Sequence, residues 1–452
     1  MKFYKPPGRS RQSASKPEKP QWVQIDGISH DLRGIARFEG KPLFVDNALP
    51  GEKVLAKVER SHGRFIEARA IEIETPSAQR HSARCQHFGR CGGCSLQYLK
   101  EQAQLEFKQQ AVLEQLQRTA QVQPTQLEPP LASAPFGYRS RARLAVYYHR
   151  KQKQLRVGFR AARSKEVIHL KQCPVLAPEL EALISPLQSL IDGMEGRDWI
   201  SHLDLLLGDQ GPAVVLRHIR PLSEEDLQQC LGFADTHLQQ LFLQPGDRDS
   251  VHCIWQQDDN AQLEYRLSPF ELRLNYEPLD FTQVNRQLNN AMVSQAMDWL
   301  SFEQGESVLD LFCGLGNFSL PAARAGARVT GIEGSADMVL RAEKNARSAG
   351  MIDARFDTLD LTQPGKLAAI CREGIDKVIL DPPRNGAVEI IRDVCQLQPV
   401  SILYISCNPA TLARDAGHLR DQGYQLERLS VMDMFPQTGH IESMALFVQS
   451  GQ

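Results

Sequence analysis

One stretch limits the fold of this 452-residue chain more than any other: VLDLFCGLGNFSLPAARAGARVTGIE, residues 308–333. Val308–Phe312 is a short apolar run of the kind that forms a buried parallel strand. Cys313–Asn317 is a small-residue loop, Phe318–Ala325 continues helically, and Val329–Ile332 forms a second strand ending in Glu333. Strand, glycine loop, helix, strand and terminal carboxylate together describe a nucleoside-binding unit of a doubly wound sheet. The small loop lets a ligand approach the backbone, and the carboxylate reaches ribose hydroxyls. Ser319 stands where a dinucleotide fingerprint places its third Gly or Ala. A pyrophosphate is therefore not expected, and S-adenosylmethionine (SAM) fits the loop better than NAD.

The length predicts two or three domains, and 42% apolar with 23% charged residues is a globular balance. No run of about eighteen apolar residues is present, so no membrane association is expected. Residues 1–20 lack the apolar core of a secretory leader, which predicts a cytoplasmic protein. The net charge is only −2, but it is unevenly spread. Residues 1–70 hold 14 Lys/Arg against 8 Asp/Glu, and residues 139–165 hold ten Lys/Arg and no Asp/Glu. Such blocks in a chain with a nucleoside site predict a polyanionic partner. Ten cysteines without a leader point to a reducing compartment, where they serve metals or catalysis more often than disulfides.

Residues 1–14 form a basic tail expected to be disordered. Residues 15–74 read as short strands punctuated by Gly34, Gly40, Pro50-Gly51 and Gly63. They predict a five-stranded barrel resembling the TRAM domain, an OB-like RNA-binding module. Next comes Cys85-x5-Cys91-Gly92-Gly93-Cys94, a thiolate loop that needs a fourth ligand; Cys173, followed by Pro174, supplies one. Four thiolates suit either a [4Fe–4S] cluster or structural zinc, and the x5 spacing leans to the cluster. The C-x3-C-x2-C spacing of radical SAM enzymes is absent. Residues 96–120 predict a long polar helix free to pack away from the thiolate loop. The remainder of residues 75–275 reads as a mixed, mostly β central domain. Its Tyr138, Tyr147, Tyr148 and Phe159 interleave with arginines, as suits a splayed-out RNA strand.

Residues 276–452 carry the doubly wound domain. Gln283 can reach the cofactor or cap the helix that follows it, and a side chain near Asp360 would meet adenine. Lys377–Leu380 is a strand running into Asp381-Pro382-Pro383-Arg384, whose end lies beside the cofactor crevice. DPPR departs from the (N/D)PPY of enzymes that methylate exocyclic amines, because the stacking aromatic is missing. A second buried strand ends at Cys407 on the same crevice edge, and His440 and Glu442 lie where a base can face it. Cys313 reads as a small packing residue, and Cys230, Cys253, Cys371 and Cys395 as structural. Carbon 5 of a pyrimidine is too weak a nucleophile to take a methyl group directly. A thiolate adding at carbon 6 makes it an enolate, and a base then removes the carbon-5 proton. The target must be flipped or single-stranded, since the thiolate approaches the ring face.

Taken together, SCNPAT at Cys407, DMFPQTGHIE ending in Glu442, DPPR, FTQVN at Gln283 and LDLFCGLGNFSL resemble the RNA uracil-5-methyltransferases. The resemblance implies an α/β fold: a Rossmann-like SAM-dependent methyltransferase domain, preceded by the OB-like barrel and a central domain carrying an iron–sulfur cluster. It implies Cys407 as nucleophile and Glu442 as base. Cys85, Cys91, Cys94 and Cys173 match the [4Fe–4S] ligands, and Gln283, Phe312, Asn317, Glu333 and Asp381 the SAM contacts. Asp360 stands where many members carry Asn, and the 96–120 helix is implied to join the catalytic domain. The four cysteines and the barrel narrow the resemblance to the members that modify 23S rRNA. These imply protein-poor or unassembled rRNA as substrate, uracil-1939 as target and a monomeric enzyme. A tRNA T-loop enzyme is the alternative, though such relatives typically lack both additions. A redox-sensing RNA-binding protein is a third reading, which the intact Cys407 and Glu442 disfavour.

Overall fold

The computed structural model describes residues 19–370 and 374–450; the expected disordered tail, the first residues of the barrel segment and Cys371 lie outside them. The chain divides into two compact units, Met1–Arg80 and His81–Gln452.

In the first unit, six strands form one sheet: β1 (Gln21–Gln24), β2 (Gly27–Ile28), β3 (Gly34–Phe38), β4 (Lys41–Asp46), β5 (Lys53–Ser61) and β6 (Ile66–Ile73). Their order is β1-β5-β6-β4-β3-β2. β1 pairs with β5 at one edge, and the chain then bends so that β2 pairs with β3 at the other. The bent β1–β2 segment thus joins both edges and closes a five-stranded barrel. Alternate residues point inward, and Val23, Ile25, Ala36, Leu43, Val45, Val54, Ile66 and Ala68 fill the interior. Glu52 is fully buried, and Arg80 and the Leu49 and Ser77 amides satisfy its carboxylate.

The second unit begins with α1 (Glu101–Ala120) and the two-residue β7 (Gln126–Leu127). A six-stranded sheet of order β13-β12-β11-β10-β8-β9 follows. It comprises β8 (Arg141–His149), β9 (Gln154–Gly158), β10 (Ile200–Gly208), β11 (Gly211–His218), β12 (Gln240–Gln244) and β13 (His252–Gln256). Helices α2 (Pro178–Ala182), α3 (Ile184–Gly193) and α4 (Glu224–His237) cover one face around Leu180, Leu187, Ile191 and Cys230. The helical segment breaks at Leu183 into α2 and α3. A hairpin of β14 (Glu264–Leu267) and β15 (Leu272–Asn275) leads into α5 (Arg286–Leu300). Asn285, rather than Gln283, caps α5, its side chain accepting from the Leu288 amide at 3.2 Å.

The third sheet positions the site. Its strands are β16 (Ser307–Leu311), β17 (Arg328–Glu333), β18 (Arg355–Thr358), β19 (Lys377–Leu380), β20 (Ser401–Ser406), β21 (Tyr424–Met432) and β22 (Glu442–Gln449). The order β18-β17-β16-β19-β20-β22-β21-β7 places antiparallel β22 between β20 and β21. Helices α6 (Ser319–Arg324), α7 (Ala336–Ser348), α8 (Leu367–Ile370), α9 (Val388–Gln396) and α10 (Pro409–Asp421) fill the connections. Strand residues alternate between two cores. Val308, Ile379 and Leu403 face α5, α6 and α7; Leu309, Val378, Leu380 and Tyr404 face α9 and α10. The second face also receives α1, whose Val112 and Leu116 are fully buried in that core. Each such side chain contributes about 1.5–3 kcal/mol by burial.

Candidate functional site

The parallel strands β16, β17, β19 and β20 all end along one edge, where a doubly wound sheet opens its ligand crevice. After β16 the backbone turns sharply: Phe312, Gly314 and Gly316 all have positive φ (64°, 56° and 89°). Gly314 donates its N–H to Glu333 Oε2 at 3.3 Å, and Ser335 donates to Oε1 at 3.0 Å. Glu333 is thereby aimed from the end of β17, with acceptor capacity left on its carboxylate. Cys313 packs inward, and a Cβ on Gly331 would lie 2.9 Å from its sulfur. Asn317 sits in the loop, but its amide exchanges hydrogen bonds with Asn289 (3.0 Å each way) and accepts from the Tyr265 hydroxyl (3.2 Å). Asp360 lies two residues beyond the Glu333–Thr358 pair on an exposed turn, its carboxylate bonded to Thr362 and Gln363. Gln283 is half-buried just before the α5 cap.

Cys407, Glu442 and Asp381 come from three neighbouring strand ends. Ser406 of β20 pairs with Ser443 of β22, so the next residue on each strand, Cys407 and Glu442, face one another. Asp381 follows β19, on the other side of β20. Glu442 is 7% exposed, and burial raises its pKa to about 7 against a pull downward from Arg384. Burial and then Glu442 push Asp381 to about 8. Burial, Glu442 and Asp381 together hold the Cys407 thiol at about 11, opposed by Arg384. Arg384 therefore favours the charged form of both Cys407 and Glu442. Its guanidinium contacts His440 Nδ1 at 3.0 Å, and its carbonyl accepts from the Asn408 side chain.

Cys85, Cys91, Cys94 and Cys173 line a single cavity of about 370 Å³, which Arg384, Phe435 and His440 also border. Gly92 permits the close turn: a Cβ there would stand 3.1 Å from the Arg160 carbonyl oxygen. The Cys85 amide donates to Gln97 Oε1 at 3.0 Å, the Cys173 amide to Glu181 Oε1 at 2.8 Å, and the Gly93 amide to the Cys91 sulfur at 3.4 Å. Burial raises the Cys91 thiol's pKa and pushes Cys94 to about 11 and Cys173 to about 12. Among the described residues no group of three His, Cys, Asp or Glu side chains is placed to hold a metal ion.

Several site residues had no sequence signal. Asn289 and Tyr265 engage Asn317 from 28 and 52 positions away. Gln104 and Lys108, on a helix that reads as polar surface, are fully buried against the segment before Glu442. Only the fold brings these together.

The family model described as tRNA (Uracil-5-)-methyltransferase matches residues 100–450, and the TRAM domain model matches residues 18–71. The chain is 45% identical over 447 residues to the 23S rRNA (uracil(1939)-C(5))-methyltransferase RlmD of Pseudomonas fluorescens, covering 99% of this chain and 98% of that one. It is 42% identical to the protein of the same name from Alcanivorax borkumensis, covering 97% and 98%. Among solved structures, the Pyrococcus abyssi tRNA (uracil-54, C5)-methyltransferase with S-adenosyl-L-homocysteine superposes with a TM-score of 0.72. That alignment covers 95% of this chain and all of the other at 23% identity, and it establishes a shared fold. With matches of this extent along nearly its whole length, the chain belongs to the RNA uracil-C5-methyltransferase family, and within it to the RlmD group.

Proposed function

We propose that this protein methylates carbon 5 of a uridine in 23S rRNA, the position corresponding to uracil-1939 of its relatives, through a covalent enzyme–RNA adduct. The observation that carries the reading is the register of β20 against β22, which sets Cys407 opposite Glu442 at the crevice edge. The Cys407 thiolate adds to carbon 6 of the flipped uracil, and negative charge develops at carbon 5. Bound SAM would supply an electrophilic methyl group, which carbon 5 takes up as the sulfonium S–CH3 bond breaks and S-adenosylhomocysteine is left. Glu442 then takes the proton from carbon 5, the C5–H electron pair restores the C5=C6 double bond, and the thiolate leaves. A carboxylate with a pKa near 7 suits that proton transfer at neutral pH. The Phe312–Asn317 loop, Glu333, Asp381 and Gln283 make up the proposed SAM site, with Glu333 taking the ribose and Asp360 beside adenine.

Cys85, Cys91, Cys94 and Cys173 would hold a [4Fe–4S] cluster. An all-thiol donor set around a cavity suits one thiolate per iron. A lone zinc instead draws four thiolates onto one centre at about 2.3 Å. The methyl transfer exchanges no electrons, so the cluster's part in this reading is structural. The barrel and the basic 139–165 segment supply contacts to RNA phosphates in a cytoplasmic, monomeric enzyme.

The test is covalent trapping. A 23S rRNA fragment bearing 5-fluorouridine is incubated with enzyme and SAM, beside a Cys407→Ala control. Fluorine blocks loss at carbon 5, so wild type alone should give a denaturation-resistant band. A band from the control as well would remove Cys407 from the role of nucleophile. Trapping on tRNA but not on 23S rRNA would reassign the substrate.

A further inference from the structure

The segment leading into Glu442 is held by residues 298 to 344 positions earlier in the chain. Gln437 is its centre. It is fully buried, and its φ of +69° lies in the left-handed region that disfavours a side chain. Every polar group on it is engaged. Its N–H donates to Gln104 Oε1 at 3.0 Å, and its side-chain oxygen accepts from Gln104 Nε2 at 3.1 Å. Its carbonyl accepts from the Ser95 and Leu96 amides, both at 3.0 Å, and its side-chain nitrogen donates to Glu101 at 3.4 Å. Four residues earlier, Asp433 pairs with buried Lys108 at 2.6 Å, and Lys108 also reaches the Phe435 carbonyl. Tyr138 fixes the Pro436 carbonyl at 3.0 Å.

These contacts tie α1 and the residues after Cys94 to the Asp433–Gln437 segment. They set the path of the backbone that delivers Glu442, and two of them begin immediately after Cys94. We propose that Gln104 and Lys108 are positioning residues for proton abstraction: by clamping Asp433–Gln437 onto α1 they fix where Glu442 presents its carboxylate. The inference rests on Glu442 being the base. Buried Gln104 carries no charge, so its removal isolates positioning, whereas removing Lys108 also strands the Asp433 carboxylate.

The experiment follows labelled methyl by rapid quench, first into the protein–RNA adduct and then into free methylated RNA. Gln104→Leu keeps side-chain bulk and removes the clamp. It should slow release of free RNA roughly ten- to hundredfold, as a misplaced base would, while SAM affinity and methyl transfer into the adduct hold. Gln437→Gly should do the same, because glycine accepts the left-handed backbone and loses only the side-chain ties. That variant decides the matter if Gln104→Leu does not fold. Wild-type release in the folded variants overturns the inference, as does an equal slowing of methyl transfer and release. Glu442→Gln runs alongside. Rapid release from Glu442→Gln would sink the base assignment itself; slow release there with rapid release from Gln104→Leu would sink only the positioning role.

Discussion

Glu442 is both buried and ionisable, and that combination has a cost which a measurement can find. Its folded pKa, near 7, lies above the ordinary carboxylate value because burial disfavours the charge. A raised carboxylate stabilises the fold below its unfolded pKa and loses that contribution as pH rises through the folded value. Wild type should therefore be less stable at pH 8 than Glu442→Gln, by about 3 kcal/mol, and the gap should close towards pH 4.5. Parallel denaturant titrations at the two pH values check this; a gap independent of pH would mean that ionisation of Glu442 is not its source. Arg384 gives a second prediction. It is the cation beside both Cys407 and Glu442, and on the thiol it opposes the pull of the two carboxylates. Arg384→Met should raise the thiol's pKa further, which lowers the thiolate fraction at neutral pH. Adduct formation with 5-fluorouridine RNA should slow accordingly and recover at higher pH. An unchanged rate would show that the guanidinium does not act on the thiol.

At the level of elements, the strands leading to Phe312, Glu333, Asp381 and Cys407 were legible because each is a parallel strand built around a short, buried apolar run. Their ends follow directly from the end of the apolar run. What local pattern could not supply was the partner of each strand. The antiparallel insertion of β22 beside β20, which sets Glu442 opposite Cys407, is a long-range pairing. The same limit applies to Gln283, where the cap fell to Asn285, and to Asn317, whose amide is engaged by residues with no motif of their own. Helix α1 is the strongest case. It carries few apolar residues, yet it packs on α10 and completes the core behind β19 and β20. Leu116→Ala should remove a fully buried side chain from that core and cost about 2–5 kcal/mol in denaturant unfolding of the full chain, more where the cavity stays open. A cost below about 1 kcal/mol would mean that α1 is a dispensable cover rather than part of the core.

For the whole molecule, the question is what joins the thiolate loop to the catalytic sheet. Cys85, Cys91 and Cys94 were recognisable by spacing, because a ligand loop must fold tightly within a few residues. Cys173 is separated from them by α1, β7, β8 and β9, and only the fold sets it on the same cavity. That cavity also meets Arg384 and His440, and the residues just after Cys94 hold the carbonyl of Gln437. A cluster bound there would close a long chain segment and brace the approach to Glu442 from one side, while α1 braces it from the other. Cys91→Ser should then lose iron and the visible absorbance of the cluster, and unfold at a lower temperature than wild type. SAM should still bind to the remaining folded protein, because the Phe312–Asn317 loop and Glu333 are held by contacts within the catalytic sheet and α5. Iron content equal to wild type would remove Cys91 from the ligand set. Loss of iron with no change in thermal unfolding would keep Cys91 in the proposed ligand set but deny the cluster a bracing role.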